Sequence, residues 1–312
     1  MIKKIKEVVE KNPNRIAYKV SNNFITYKEL WDKAYKYGEL LKREGTSPVI
    51  IFGHKDVSII ISILACLIAN RTYVPIGECT PIYRLKKIIE MTNSTLILSN
   101  KKLKIDNNYS LDDLVKFEKK EIIEFDNNIV YIIFTSGSTG DPKGVPISKD
   151  NLNNFINWLC NLEPLKSYKN INVLNQASFS FDLSVADLYY SLCNGHTLIA
   201  FDSDYNEILD VMYDVNVAVM TPTFIKLCLL DKDFTELNYP NLRCIYFCGE
   251  QLESKTVQKL YNAFPNIKII NAYGPTEATS AVSAVLITKE MSNNMKILPI
   301  GELNNFATEI CL

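Results

Sequence analysis

Residues 131–145 read YIIFTSGSTGDPKGV. The apolar run Tyr131-Ile132-Ile133-Phe134 predicts a buried strand. It passes into Thr135-Ser136-Gly137-Ser138-Thr139-Gly140, where every residue is a hydroxyl or a glycine, and then into Asp141-Pro142-Lys143-Gly144. Glycine lets a backbone approach a ligand closely. Hydroxyls and free backbone N–H groups form a concave anion site, and Lys143 adds a compact positive charge. Together they predict a loop for the phosphates of a nucleotide. It is not a Walker loop, which needs Gly-Lys-Ser/Thr entering a helix, because Pro142 separates Gly140 from Lys143. A flexible linker is the competing reading, but linkers rarely follow a buried strand or end in Pro-Lys-Gly.

The bulk properties narrow the function classes. The 312 residues can bury one large core or two ordinary ones. Apolar content of 47% and charged content of 22% are ordinary for a globular protein. A net charge of -1 leaves no basic excess for nucleic acid or an acidic membrane surface. The eight cysteines are scattered, and only His54 and His196 could join them, which does not support a zinc cluster. Reduced thiols and a cytoplasmic location are expected. The basic start Met1-Ile2-Lys3-Lys4 is followed by no apolar signal region. The longest apolar run, Val57–Ala69, is too short to span a bilayer and predicts a buried helix, with no membrane insertion.

Outward from the loop, strand and helix patterns alternate. Thr26-Tyr27-Lys28-Glu29 predicts a capping box opening a helix to Glu44. Val49–Phe52 predicts a strand, Asp56 a cap for the helix after it, Pro81 a helix start running to Met91, and Thr95–Leu98 a strand. Residues 100–128 are polar with weak periodicity and predict a boundary between subdomains. Strands are expected at 130–134, 171–175, 197–201, 216–220, 243–247, 267–271 and 281–287. Helices are expected at 148–161, 183–193, 205–214, 222–230 and 254–264. This alternation predicts an α/β protein with largely parallel sheets. Ligands on such sheets bind at the carboxyl ends of strands.

Two further segments carry chemistry. Asn271-Ala272-Tyr273-Gly274-Pro275-Thr276-Glu277-Ala278-Thr279 follows the expected strand Ile267–Ile270. Gly-Pro makes a tight turn that presents a ring able to stack on a base, a hydroxyl, and a carboxylate suited to Mg²⁺. Alone, it reads equally well as a loop with a solvated glutamate. In Phe179-Ser180-Phe181-Asp182-Leu183-Ser184-Val185, Asp182 stands at a strand-to-helix junction, where a helix cap is a common role.

These three segments together resemble the adenylate-forming superfamily, which includes acyl-CoA synthetases, luciferases and the adenylation domains that load carrier proteins. Phe24–Leu30 and Ala69–Ile76 resemble its scaffold segments, with Gly77 where Asp is usual. The resemblance spans residues 1–312 and implies the large N-terminal core of that fold. That core has two mixed or parallel sheets flanked by helices, plus a smaller β subdomain; the family's C-terminal lid is not represented. It implies that Thr135, Ser136, Gly137, Ser138, Thr139, Gly140 and Lys143 hold the phosphates of ATP. Gly249, Glu250, Asn271, Ala272, Tyr273 and Gly274 would line the nucleotide, with Tyr273 stacked on adenine and Asn271 at its edge. Thr276 would bind the α-phosphate and Glu277 would hold Mg²⁺, so Lys143, Thr276 and Glu277 are the implied catalytic residues.

The Phe-Asp-x-Ser-Val pattern resembles the amino-acid-activating members, in which Asp182 would pair with the substrate α-ammonium. Phe181, Leu183, Ala186, Val219, Tyr246, Cys248, Ala272, Ser280 and Ala281 would line the acyl pocket. The run FSFDLSVADLY, Thr221–Phe224 and Phe247-Cys248-Gly249-Glu250 resemble the branch that loads D-alanine onto carrier proteins. In that branch the matching cysteine favours D- over L-alanine. The implied activity is ATP-dependent activation of a small amino acid, D-alanine first, as an aminoacyl-adenylate. Transfer to the phosphopantetheine thiol of a carrier protein would follow. Without the lid, binding with slow turnover is expected. Ala272 and Ser280-Ala281 depart from the branch pattern toward smaller side chains. This leaves open an L- or β-amino acid of peptide biosynthesis, or a non-catalytic nucleotide-binding fragment. An acyl-CoA synthetase fits poorly, because Asp182 would face an uncharged acyl group.

Overall fold

The computed structural model describes residues 1–100, 128–136, 141–202 and 205–303. Contacts sort the chain into two units, Met1–Leu152 with Ser178–Phe181, and Asn153–Ala177 with Asp182–Leu312. The polar stretch predicted as a boundary lies almost wholly outside the described residues, as do loop residues Gly137, Ser138, Thr139 and Gly140.

The first unit begins with helix α1 (Ile2–Lys11) and an antiparallel hairpin of β1 (Ile16–Val20) and β2 (Asn23–Thr26). Helix α2 (Tyr27–Arg43) starts at the predicted capping box. The Glu29 N–H donates to Thr26 Oγ1 at 3.3 Å, and the Thr26 N–H donates to Glu29 Oε2 at 3.0 Å. Thr26→Ala removes the bond from the Glu29 N–H and the one the hydroxyl donates to Glu29 Oε2, and is expected to cost about 1 kcal/mol, read as a lower urea midpoint for this unit.

Five strands form the main sheet of this unit. They are β3 (Val49–Gly53), β4 (Tyr73–Gly77), β5 (Leu96–Ser99), β6 (Ile129–Ser136) and β7 (Pro142–Ser148), in the order β5-β3-β4-β6-β7. All pair in parallel except β7, which runs antiparallel to β6. Helices α3 (Val57–Ala69) and α4 (Ile82–Thr92) make the crossovers. Asp56 caps α3 by accepting from the Ser58 N–H at 2.7 Å, as its sequence predicts. The Pro142-Lys143-Gly144 segment, expected within the phosphate loop, is instead the start of β7. Proline is tolerated at the first residue of an edge strand, where no ladder donor is needed.

Helix α5 (Lys149–Asn161) carries the chain into the second unit. There β8 (Asn172–Asn175), β9 (Thr197–Ala200), β10 (Val217–Met220), β11 (Cys244–Phe247), β12 (Lys268–Tyr273), β13 (Ser283–Ile287) and β14 (Glu302–Leu303) lie in the order β14-β13-β12-β11-β10-β8-β9. The strands β9 to β12 in that row are parallel, and β13 and β14 are antiparallel additions. Helices α6 (Leu183–Asn194), α7 (Tyr205–Met212), α8 (Pro222–Cys228), α9 (Ser254–Ala263) and α10 (Lys289–Asn294) complete it.

Strand alternation divides this sheet into two faces. Leu174, Ala218, Met220, Ile245, Phe247 and Ile269 face a core with Phe224, Ile225, Val257, Leu260 and Phe264. Each such large side chain contributes roughly 1.5–3 kcal/mol by leaving water. The other face carries α6, which packs on β8, β9 and β10 and is buried from Leu183 to Cys193. The predicted strand 281–287 begins only at Ser283, because Thr279 and Ser280 take positive φ and turn the chain. Among the described residues every strand belongs to these arrangements; the smaller β subdomain is not found among them. No helix among them is long and apolar enough to cross a membrane.

Candidate active site

In the second unit, register gathers the expected acyl-pocket residues. Val219 pairs with Tyr246, and Tyr246 with Ile270. Their side chains share one face, and alternation places Cys248 and Ala272, two residues further on, on that same face. This is the face that carries α6, whose first turn begins just after Asp182. Leu183 and Ala186 are buried on α6. Phe181 is not gathered here; it groups with the first unit and is 43% exposed.

Asp182 occupies the cap position of α6, yet its side chain makes no capping bond there. Thr276, on the turn after β12, is its neighbour in the second unit. It is 7% exposed. Burial pushes its carboxyl above the usual range and the Glu277 charge adds to that, while the polar groups of Thr276 and the local backbone pull it back. Among the described residues no lysine or arginine neutralises it. A buried carboxylate without a cation is costly, and a bound ammonium would remove that cost through a charge-assisted bond.

Cys248 is buried beside this carboxylate. Burial, then the Asp182 charge, pushes its thiol up to about 12. Its Sγ lies 3.6 Å from the Ser280 carbonyl, to which it donates. A thiol so protonated is a pocket wall and not a nucleophile. Iodoacetamide at neutral pH is therefore expected to alkylate the exposed Cys79 and spare Cys248, read by peptide mass spectrometry. Burial, with the Cys248 and Asp182 charges, also holds the Tyr246 phenol well above its ordinary value.

Ser280 reaches the cluster by an unusual turn. Thr279 and Ser280 have φ of 63° and 70°, a region most residues avoid. The turn is tied by Ala281 N–H to Thr279 O at 2.9 Å and by Val282 N–H to Tyr273 O at 2.8 Å. Ala281 then lies against Gly274: a Cβ at 274 would sit 2.5 Å from the Ala281 Cα.

The base-recognition segment differs from expectation in one respect. Strand β12 runs through Tyr273, so Asn271, Ala272 and Tyr273 are strand residues and not loop residues. Pairing with β13 on one side and β11 on the other extends the ladder. Asn271 is buried and its amide donates to Pro299 O at 2.8 Å. Tyr273 ends the strand as a residue 43% exposed, open to stacking. A 3-10 turn, Thr276–Ala278, presents Glu277 at the surface. Gly249 follows β11 with φ of 89°. The Glu250 carboxylate accepts from Thr223 N–H at 2.9 Å and Thr223 Oγ1 at 2.6 Å, which ties it to the start of α8.

No group of three or more His, Cys, Asp or Glu among the described residues could hold a metal ion. A single exposed carboxylate, Glu277, fits Mg²⁺, which takes most of its ligands from phosphates and water.

In the first unit, β6 and β7 bracket the phosphate-loop residues. Thr135 pairs with Lys143 and Ser136 with Pro142. Two cations not singled out from the sequence lie at this hairpin. Arg84 Nη2 donates to Thr135 O at 3.3 Å, and Lys87 is paired with Asp141. Their signal is faint: two basic residues three apart on α4, a spacing that shares a helix face.

The AMP-binding enzyme family, by its sequence model, matches residues 5–308. The chain belongs to the AMP-binding enzymes. It is 36% identical to the D-alanine–D-alanyl carrier protein ligase of Bacillus licheniformis over 320 residues, 96% of this chain and 63% of that protein. The ligase of Listeria monocytogenes serotype 4b is also 36% identical, over 326 residues, with the same coverage. The chain thus spans 63% of the length of these relatives. Among solved structures, the Vibrio cholerae adenylation domain AlmE in complex with glycyl-adenosine-5'-phosphate superposes with a TM-score of 0.83 at 25% identity, covering 96% of this chain and 64% of that one. IdnL7 superposes at 0.80 with 20% identity over 97% of this chain and 67% of that one, a likeness of fold. The two-sheet α/β architecture read from the sequence is that of adenylation-domain cores.

Proposed function

We propose that this chain activates a small amino acid with ATP as its aminoacyl-adenylate, for transfer to the phosphopantetheine thiol of a carrier protein. The observation that carries the reading is Asp182, a buried carboxylate that no lysine or arginine among the described residues neutralises, on the face that holds Val219, Tyr246, Cys248 and Ala272. A substrate α-ammonium supplies the missing charge. The names of the relatives support D-alanine and carrier loading, and the AlmE complex supports a small amino acid in this fold.

Adenylation is an in-line attack of the amino acid carboxylate on the α-phosphorus, with pyrophosphate leaving. Positioning and charge neutralisation supply most of the catalysis. Asp182 fixes the ammonium and so aims the carboxylate. Tyr273 offers its ring to adenine, and Lys143 with Thr135 and Ser136–Gly140 serves the phosphates. Glu277 is the residue that would hold Mg²⁺, whose charge offsets that of the phosphates. Thr276 neighbours Asp182 and stands next to Glu277, which brings amino acid and nucleotide recognition together within the second unit.

Calorimetric titration with non-hydrolysable D-alanyl, L-alanyl and β-alanyl adenylate analogues tests the reading. Binding of the D-alanyl analogue ahead of the other two is expected. Tighter binding of the L- or β-form moves the chain to peptide biosynthesis, and binding of none defeats amino acid activation.

A further inference from the structure

We infer that Arg84 and Lys87, both on α4, are positioning residues for the pyrophosphate end of ATP, acting by their positive charge at the two rims of the β6–β7 hairpin. The inference rests on the phosphate role proposed above for this hairpin and adds two residues that lie outside its sequence motif.

The motif supplies little charge by itself. Between Thr135 and Val145 it holds one cation, Lys143, and one carboxylate, Asp141, so it carries no net charge. A transferring phosphoryl group is stabilised by cations arranged around it, and an aspartate at the rim of such a site repels the ligand. Helix α4 answers both problems. It packs against β7, and Arg84 and Lys87, three residues apart, share the side turned to the hairpin. Arg84 reaches the first rim, where its Nη2 donates to Thr135 O at 3.3 Å. Thr135 is the residue paired with Lys143 across the hairpin. Lys87 reaches the second rim and pairs with Asp141, directly before Pro142 opens β7. With these two the hairpin holds three cations against one carboxylate.

Neither contact is strong enough to be explained by folding alone. A separation of 3.3 Å is at the long end for N–H···O. Lys87 and Asp141 have side chains 43% and 67% exposed, and ion pairs so open to water add little stability. What the two side chains do supply is positive potential where a polyphosphate would bring its own negative charge. The Lys87–Asp141 pair then has a consequence of sign. A structural tie is damaged equally by removing either partner. Acting by charge, the partners differ: loss of Lys87 leaves Asp141 to repel the phosphates, and loss of Asp141 leaves the lysine charge unopposed.

Calorimetric titration of this chain with α,β-methylene-ATP and with AMP, both with Mg²⁺, tests the inference. The two ligands share adenosine and the α-phosphate, so the ratio of their affinities isolates the pyrophosphate end. Arg84→Met and Lys87→Met are each expected to weaken the ATP analogue about three- to tenfold, and AMP by less than about twofold. Arg84→Lys, which keeps the charge, should stay within about twofold of the parent. Asp141→Asn is expected to tighten the analogue by about threefold, and in the Lys87→Met background to restore most of what was lost. Thermal melts check the fold, and the ratio within one variant is insensitive to a general loss of folded protein. If Asp141→Asn weakens the analogue as Lys87→Met does, the pair is a structural tie and the inference falls. It also falls if Arg84→Lys is as poor as Arg84→Met, or if the two methionine variants leave the ratio unchanged. If the parent binds neither ligand, the phosphate role of the hairpin fails with it.

Discussion

Asp182→Asn is expected to weaken binding of any aminoacyl-adenylate analogue by roughly two to three orders of magnitude, since truncating one partner of a buried charge pair costs several kcal/mol. The unliganded protein should not be destabilised by the same change. The Asp182 carboxyl is pushed up by burial first, then by Glu277. A carboxyl raised in the folded state binds its proton more tightly there than in the unfolded chain. As pH rises from the unfolded carboxyl value through the raised folded value, stability therefore falls, and above that window the penalty is complete. Asparagine never ionises, so the variant escapes the fall. Thermal melts from about pH 4 to pH 8 should show the variant gaining on the parent as pH rises. A structural cap would behave in the opposite way, losing stability on substitution. The same titration governs ligand binding: the ammonium pairs with the ionised form, so analogue affinity should drop as pH falls through the raised value. An asparagine variant that melts far below the parent and still binds would sink the anchoring role.

How far the sequence carries to this site depends on which contacts are local. Thr26 and Glu29, three apart, form the capping box that their spacing predicts, and Asp56 caps α3 in the same way. Tyr131–Phe134 is legible as a strand because a short unbroken apolar run that passes into hydroxyls and glycine has few other fates. Strand β7 is not legible, because Pro142 and Gly144 both argue against a strand, and only the pairing with β6 overrides them. Strand β4 hides in the same manner behind Pro75 and Gly77. The hairpin β1–β2 and helix α1 are too short and too polar to stand out. At the site, residues inside a motif are legible, but what each one bonds to is not. The Asn271 amide is committed to Pro299 and Glu250 to Thr223, partners 28 and 27 residues away. The contact of the Cys248 thiol with the Ser280 carbonyl, 32 residues away, emerges only once β11 and the 279–280 turn are brought together.

Gly274→Ala is expected to strike the base-recognition turn and the acyl pocket together. A methyl at 274 would lie 2.5 Å from the Ala281 Cα and 3.0 Å from its N and C atoms. These are backbone atoms, so no rotamer change relieves the clash. The backbone at 281 is also held, through Ala281 N–H to Thr279 O and Val282 N–H to Tyr273 O. Either the end of β12 moves, displacing Tyr273, or the 279–281 turn moves, displacing Ser280 and the carbonyl that receives the Cys248 thiol. Overpacking of this kind costs about 1–3 kcal/mol, which lowers the melting temperature by roughly 2–4 °C per kcal/mol in a unit of this size. The binding loss should exceed the stability loss, because both routes of relief pass through ligand-facing residues. Titration with AMP and with an aminoacyl-adenylate analogue separates the two routes. Loss of AMP binding alone assigns the strain to Tyr273, and loss confined to the aminoacyl part assigns it to Ser280. An alanine variant with parental affinities and an unchanged melt would show that the approach of Gly274 to Ala281 is not what fixes this corner of the site.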